Sequence, residues 1–440
     1  MIFKGDSSRV SLGRNAAWAL IAALVATPSF AATDIQVWLT MTPYNYKAFE
    51  ALVKDHNRSQ SEVQVKLRNF DQPEALEAAL ADAVRTKTLP ALVELGDTHT
   101  LDEVVQRAYI TPLYTLLNTP ELKRTKWFVS PDNAFIHDAK GRLMALPYML
   151  EIPVMYYNVD AFKKAGLVPE VPQRSWIGLQ GQLVSLANNG SRQCPLTSDL
   201  PVSINLENLA AVNNQLFASQ DNGLKVKGKT LPVFSFDSTF VRHLSMMISW
   251  VRSEIMVKPE FGLRSTERFA AGECAVMMSN SGHIGEFNAK RGLHYGVSGL
   301  PFYPEVTATP GNPFLSGSGL WATKAENKDQ SAATVKFLTW LTQPEQASRW
   351  YQQTGFLPAT QAAFDATPAS FYEGRGQWRE LVAVYAHAGR ATAQGFRIHN
   401  YSNIRAKFHQ ILQSALDGKQ PAVTALQTAA AEANKLVTQR

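Results

Sequence analysis

Leu146-Pro147-Tyr148-Met149-Leu150-Glu151-Ile152-Pro153 is the stretch on which the fold turns. Each proline fixes φ and removes a backbone donor, and each biases the residue before it toward extended backbone, so the segment is stiff and not helical. It reads as a crossover between two lobes. On its N-terminal side, Asp34 to Thr40 alternates Ile35, Val37 and Leu39 as a strand does. Tyr46 to Asn57 then places Phe49, Leu52, Val53 and His56 at helical spacing. The pattern repeats: Val63, Val65 and Leu67 alternate, Asp71 and Pro73 start a helix, and Leu76, Leu80 and Val84 form its stripe. Pro90 to Leu95 closes this β-α-β-α-β opening as an apolar strand. Such alternation predicts an α/β fold with mainly parallel sheets flanked by helices. Sheets of this kind bind ligands beyond their strand C-terminal ends, where Asn69 to Asp71 and Gly96 to Thr98 fall.

On the other side, Val154-Met155-Tyr156-Tyr157 reads as a strand, followed by a helix over Asp160 to Ala165 that Gly166 ends as a C′ glycine. Pro313-Phe314-Leu315 and Gly355-Phe356-Leu357-Pro358 are further crossover candidates. Three crossings give each lobe discontinuous sequence and build a hinge with a cleft. The expected division is 32–148 with 316–357 for the first lobe, and 149–315 with 358–440 for the second.

Lys4, Arg9 and Arg14 followed by the apolar run Ala16 to Ala26 read as an export leader over residues 1–31. The run is too short to span a bilayer, and Ser29 and Ala31 are spaced for cleavage after Ala31. An uncleaved anchor helix is the alternative; no cysteine stands there for lipid attachment. The chain carries 43 basic and 37 acidic residues, and without the leader 40 and 36 remain, a net of +4. With no Lys/Arg block, the electrostatic footprint of a nucleic-acid binder is missing. Cys194 and Cys274 are the two cysteines, and an oxidising compartment favours a disulfide between them over two buried thiols.

Motifs for catalysis are absent: the sequence holds no His-Glu-x-x-His, Cys-x-x-Cys, phosphate loop or Gly-x-Gly-x-x-Gly after a strand. Ser316-Gly317-Ser318-Gly319 lacks the order of a nucleophile elbow and reads as close backbone approach. His283, with no obvious carboxylate partner, reads as a hydrogen-bonded loop residue. Glu345 and Arg349, four apart on a helix, read as a surface ion pair.

The segment Pro153 to Leu167, with Ser175-Trp176, resembles the family 1 extracellular solute-binding proteins of ABC importers. Phe269-Ala270-Ala271-Gly272 through Ala275-Val276-Met277 resembles the same family's Phe-x-x-Gly-x-x-Ala-Met segment, and Phe337 to Leu341 and Trp350 to Pro358 its helix and return crossover. The resemblance covers essentially the whole chain after the leader. Within the family, Asn69-Phe70, Leu206-Glu207-Asn208, Phe371-Tyr372, Gly395-Phe396-Arg397 and both cysteines resemble the sn-glycerol-3-phosphate-binding proteins of Ugp-type importers.

What this implies is a two-lobed, maltose-binding-protein-like monomer in the periplasm that captures a small ligand in its cleft and delivers it to membrane permease subunits. It implies no enzyme activity, no cofactor, no metal and no nucleic-acid partner. It also implies a ligand site at Phe70, Asp97, Ser281, Gly317, Phe356 and Arg397, with Arg397 on a phosphate. Two departures bear on the ligand. The family's tryptophans before Leu-Glu-Asn are missing from Leu200 to Ile204, and Glu151 stands near the expected crossover serine. A carboxylate at Glu151 repels a phosphate unless a cation intervenes, which argues against a phosphomonoester. The ligand readings are therefore glycerol-3-phosphate or a glycerophosphodiester, or a sugar, polyol or cation-bearing diester. A secreted hydrolase is the reading from another class, and it needs a nucleophile–base pair that the sequence does not show.

Overall fold

A computed structural model describes residues 32–96, 99–191, 193–228 and 230–439. The leader over 1–31 and the site candidate Asp97 lie outside the described residues.

Among the described residues, ten strands form two sheets. The first sheet contains β1 (Thr33–Leu39), β2 (Val63–Asn69), β3 (Leu92–Gly96), β4 (Ile110–Thr111), β5 (Leu146–Glu151) and β10 (Ser316–Thr323), in the order β2-β1-β3-β10-β4 with β5 also on β10. The second contains β6 (Pro153–Asn158), β7 (Leu196–Ser198), β8 (Val276–Asn280) and β9 (Tyr295–Ser298), in the order β7-β8-β6-β9. β1 pairs in parallel with β2 and β3, as the alternating opening predicts, and β7 with β8. The remaining pairings are antiparallel, so both sheets are mixed. β10 returns from the other lobe and enters between β3 and β4 against their direction.

The helix Pro43–Ser59 starts where Thr42 caps Asn45 N–H and Pro43 needs no donor. It buries Phe49, Leu52 and Val53 on the sheet, each contributing roughly 1.5–3 kcal/mol. The helix Pro73–Thr86 buries Leu76, Leu80 and Ala83, whereas Val84, expected in its stripe, is 45% exposed. The true face runs at i, i+4, i+7 from Leu76, one position short of Val84. Arg349 reaches Asp55 on the neighbouring helix at 2.6 Å in place of Glu345, because its face of the helix Pro344–Thr354 packs toward Pro43–Ser59.

The first crossover is one residue wide. Glu151 pairs with Ser316 in the first sheet and Pro153 with Asn280 in the second, leaving Ile152 alone between them. Pro147, which cannot donate to a ladder, falls where the β5–β10 register shifts. The second crossing falls at Phe314 to Ser316, since Phe314 N–H donates to Asn208 Oδ1 of the second lobe and Ser316 opens β10. The third falls later than 357: Thr360 bridges Trp127, and Phe364 packs on Phe128, both first-lobe contacts, whereas Gly376 bridges Val297 of β9. Helices Tyr401–Leu416 and Ala422–Val437 then pack on Ser238–Arg252 and complete the second lobe. A disulfide joins Cys194 to Cys274, tying the segment before β7 to the segment before β8. Among the described residues, no helix is long and apolar enough to cross a membrane.

Candidate functional site

Strand ends build the cleft. β1 runs out into Thr40-Met41-Thr42, β3 ends at Gly96, β7 runs into Asp199-Leu200 and β8 into Asn280, Gly282 and His283; all of these line one cavity of about 220 Å³. Gly317 and Ser318 enter at the start of β10, and Phe356 comes from the segment after helix Pro344–Thr354. Both lobes therefore contribute walls, as the carboxyl-end rule for open α/β sheets requires.

The walls are acidic. Glu77, Glu94, Glu151 and Asp199 line the cavity, and no lysine or arginine does among the described residues. Glu94 is 8% exposed and accepts from Thr40 N–H at 2.8 Å and Ser318 Oγ at 2.7 Å. Burial pushes its carboxyl up, and those two donors partly offset the shift. Glu77 is met by Arg107 Nη1 at 3.0 Å and His99 Nε2 at 3.6 Å. Asp199 accepts from Ser279 Oγ at 2.8 Å; burial raises its pKa against the pull of His283.

His283 was expected as a loop histidine without a carboxylate partner. Instead it is held between two, Nε2 lying 3.9 Å from Asp199 and Nδ1 3.9 Å from Glu286. Burial works against its charge, but Glu286, Asp199 and Glu151 together outweigh burial and raise its pKa. Glu286 is three residues on and was legible as a partner; Asp199 is remote in sequence and was not.

Glu151 ties the lobes together. Its Oε2 accepts from Gly282 N–H and its Oε1 from Asn280 Nδ2, both at 3.0 Å. Asn45 Nδ2 of the first lobe donates to Gly282 O at 3.1 Å, so the turn after β8 is gripped from two sides. Gly282 admits no side chain there: a Cβ would sit 2.4 Å from Glu151 Oε2 and 2.9 Å from Phe356.

Of the residues expected at the ligand, Glu151, Gly317 and Phe356 line the cavity. Gly317 takes φ +85°, and a Cβ would meet Met149 O at 2.3 Å. Phe356 stacks on Trp350 at 5.6 Å. Ser281 is fully buried and pinned to the crossover, its Oγ accepting from Ile152 N–H at 3.3 Å. Phe70 is buried against Trp38 and lies under the Arg68 guanidinium, 4.3 Å from its ring, outside the cavity lining.

Arg397 is not in the cleft either. Its backbone N–H donates to Asn222 O, and its Nη2 donates to His137 O at 2.5 Å, so the side chain crosses to a first-lobe loop. A second arginine at the lobe interface is Arg405, on the first turns of helix Tyr401–Leu416. It lines a second cavity with Phe135, Phe314, Phe396, Tyr401 and Glu207, and this cavity shares His99 with the first. Arg405 Nε lies 3.0 Å from Glu207 Oε1, and Tyr401 Oη donates to the same oxygen. In the sequence Arg405 is a bare arginine on a helix and carries no signal of its own.

A family model for the bacterial extracellular solute-binding proteins matches residues 46–373. The chain belongs to that family. This solute-binding protein is 31% identical over 420 residues to the sn-glycerol-3-phosphate-binding periplasmic protein UgpB of Escherichia coli (strain K12), covering 92% of this chain and 93% of the relative. It is 29% identical over 414 residues to UgpB of Rhizobium meliloti (strain 1021), covering 92% and 94%. Its fold is that of maltose-bound MalE3 of T. maritima, at TM-score 0.71 and 17% identity over 92% of this chain and all of that one. UgpB of Mycobacterium tuberculosis in complex with glycerophosphocholine gives TM-score 0.70 and 17% identity, covering 92% and 98%. The solute-binding protein is thus a two-lobed α/β protein with a cavity between its lobes.

Proposed function

We propose that this solute-binding protein is the periplasmic capture subunit of an ABC importer for sn-glycerol-3-phosphate or a glycerophosphodiester. The observation that carries the ligand is the chain-long relationship to proteins named for binding sn-glycerol-3-phosphate. The leader-like start of the sequence and the periplasmic relatives support the compartment. The cleft supports a small ligand, since about 220 Å³ falls below the usual range of roughly 300–1,000 Å³ for drug-sized molecules.

Between the two phosphates, the electrostatics favour the diester. A phosphomonoester dianion would face Glu151 and Asp199 with no lysine or arginine among the described cavity residues, whereas a diester carries one negative charge. Arg405, in the adjoining cavity and paired there with Glu207, would meet that charge. Ligand contacts from both walls would stabilise the closed form, and that form would dock on the permease subunits.

A sugar or polyol is the second reading, favoured by the same acids, which accept hydroxyl hydrogen bonds, and by Phe356, which offers a face to an apolar ring. Calorimetry with glycerol-3-phosphate, glycerophosphocholine and maltose separates the readings. Heat with either phosphate supports the first, and silence with both together with heat from maltose replaces it by the second.

A further inference from the structure

Two buried acceptors in the cleft receive no donor from another described residue, and they come from opposite lobes. Asn45, 4% exposed, spends its amide nitrogen on Gly282 O; that bond fixes which way the amide points and leaves Oδ1 unpaired. Asp199, 9% exposed, spends Oδ2 on Ser279 and on the approach of His283, leaving Oδ1 with no donor from another residue. Both residues line the same cavity, and both are tied to the turn Ser279–His283.

A buried acceptor left without a donor costs about 1–3 kcal/mol, more when it is charged. Such groups are few in native proteins and each calls for a reason, of which a bound donor is one. The missing complement here is a donor that bears positive charge: the cavity holds four carboxylate side chains and, among the described residues, no lysine or arginine. A hydroxyl offers one hydrogen. A primary ammonium offers three and carries the charge. A trimethylammonium carries the charge but offers none.

We propose that the cleft contains a primary-ammonium subsite, formed by Asn45 Oδ1 and Asp199 Oδ1 within the field of Glu151, and that the preferred ligand is a glycerophosphodiester with a primary amine on its head group. The proposal rests on the diester reading above. It gives the acidic walls a purpose, and it makes the ammonium a bridge between first-lobe Asn45 and second-lobe Asp199, so that this end of the ligand itself draws the lobes together.

The test is calorimetry on the full mature chain with sn-glycero-3-phosphoethanolamine, sn-glycero-3-phosphocholine and sn-glycerol-3-phosphate. The ethanolamine diester should bind at least tenfold tighter than the choline diester. Asp199→Asn should weaken the ethanolamine diester tenfold or more, and by a clearly larger factor than the choline diester, which keeps the charge but donates no hydrogen bond. Equal binding of the two diesters, or tighter binding of the choline diester, overturns the subsite and leaves the diester reading standing. Silence with all three overturns the diester reading and the subsite with it. Should Asp199→Asn fail to fold, the wild-type comparison decides alone, because it needs no substitution.

Discussion

Glu151 at the end of β5 accepts a hydrogen bond from Gly282 N–H across the lobe boundary at 3.0 Å, one residue before the chain changes sheets. Its other oxygen takes Asn280 Nδ2, so one carboxylate fixes the turn that carries half of the cleft. Glu151→Ala strips the acceptor from both donors and should cost roughly 2–4 kcal/mol in a denaturant melt. Glu151→Gln should fall between, because an amide presents one acceptor oxygen and turns its NH2 toward the second donor. Asn280 cannot flip to rescue it without losing the bond its Oδ1 accepts from Ser316 Oγ. Wild-type stability in Glu151→Ala would remove the latch.

Arg405 and Arg397 should separate cleanly. Arg405→Gln should weaken a phosphate-bearing ligand tenfold or more by calorimetry, since charge-assisted hydrogen bonds to phosphate are the strong ones. Arg397→Gln should change affinity less than threefold and lower the melting temperature, because its recorded partner is the His137 carbonyl. The reverse ranking would restore Arg397 to the ligand.

Closure has its own lever at Gly285. A Cβ there would lie 1.7 Å from Gln353 O, on the helix of the opposite lobe. Gly285→Ala should hold the lobes apart, lowering ligand affinity tenfold or more without altering a cleft residue. Small-angle scattering should show a larger radius of gyration for the variant and no contraction on adding ligand. A variant that contracts as wild type does would separate closure from this contact.

His243 sets a pH dependence of stability. It is fully buried, with Nε2 2.9 Å from Asn205 Oδ1 and Nδ1 3.2 Å from Tyr303 Oη, and burial pushes its pKa down to about 3. The unfolded chain protonates this histidine near pH 6.5. Its contribution is therefore complete above that pH and is lost as pH falls from about 6.5 toward 3, at about 1.4 kcal/mol per pH unit. His243→Gln should show a shallower fall of melting temperature across that window. Parallel curves would place the acid sensitivity elsewhere.

Much of the first lobe was legible because its strands and helices follow their periods with little interference: β1, β2 and the helix after each were readable from alternation and proline placement. The C-terminal limit of that lobe was not, because Pro358 looks like a crossover while Thr360 and Phe364 stay packed on Trp127 and Phe128. In the site, Gly317 and Phe356 were recognisable from the segments around them. Asp199, Asn45 and Arg405 were not, since each gains its meaning only when strands far apart in sequence end at one place. Arg397, a phosphate fork by resemblance, instead donates to a backbone carbonyl beside the Gly395 turn and Asn222.

A crystal structure of the mature protein with a bound glycerophosphodiester tests capture in the cleft most directly. The account predicts density between the lobes, touching Gly317 and Phe356 on one side and Asp199 on the other, with the phosphate toward Arg405. Ligand density outside these two interlobe cavities, for instance in the surface groove at Lys126 and Thr342, would contradict it.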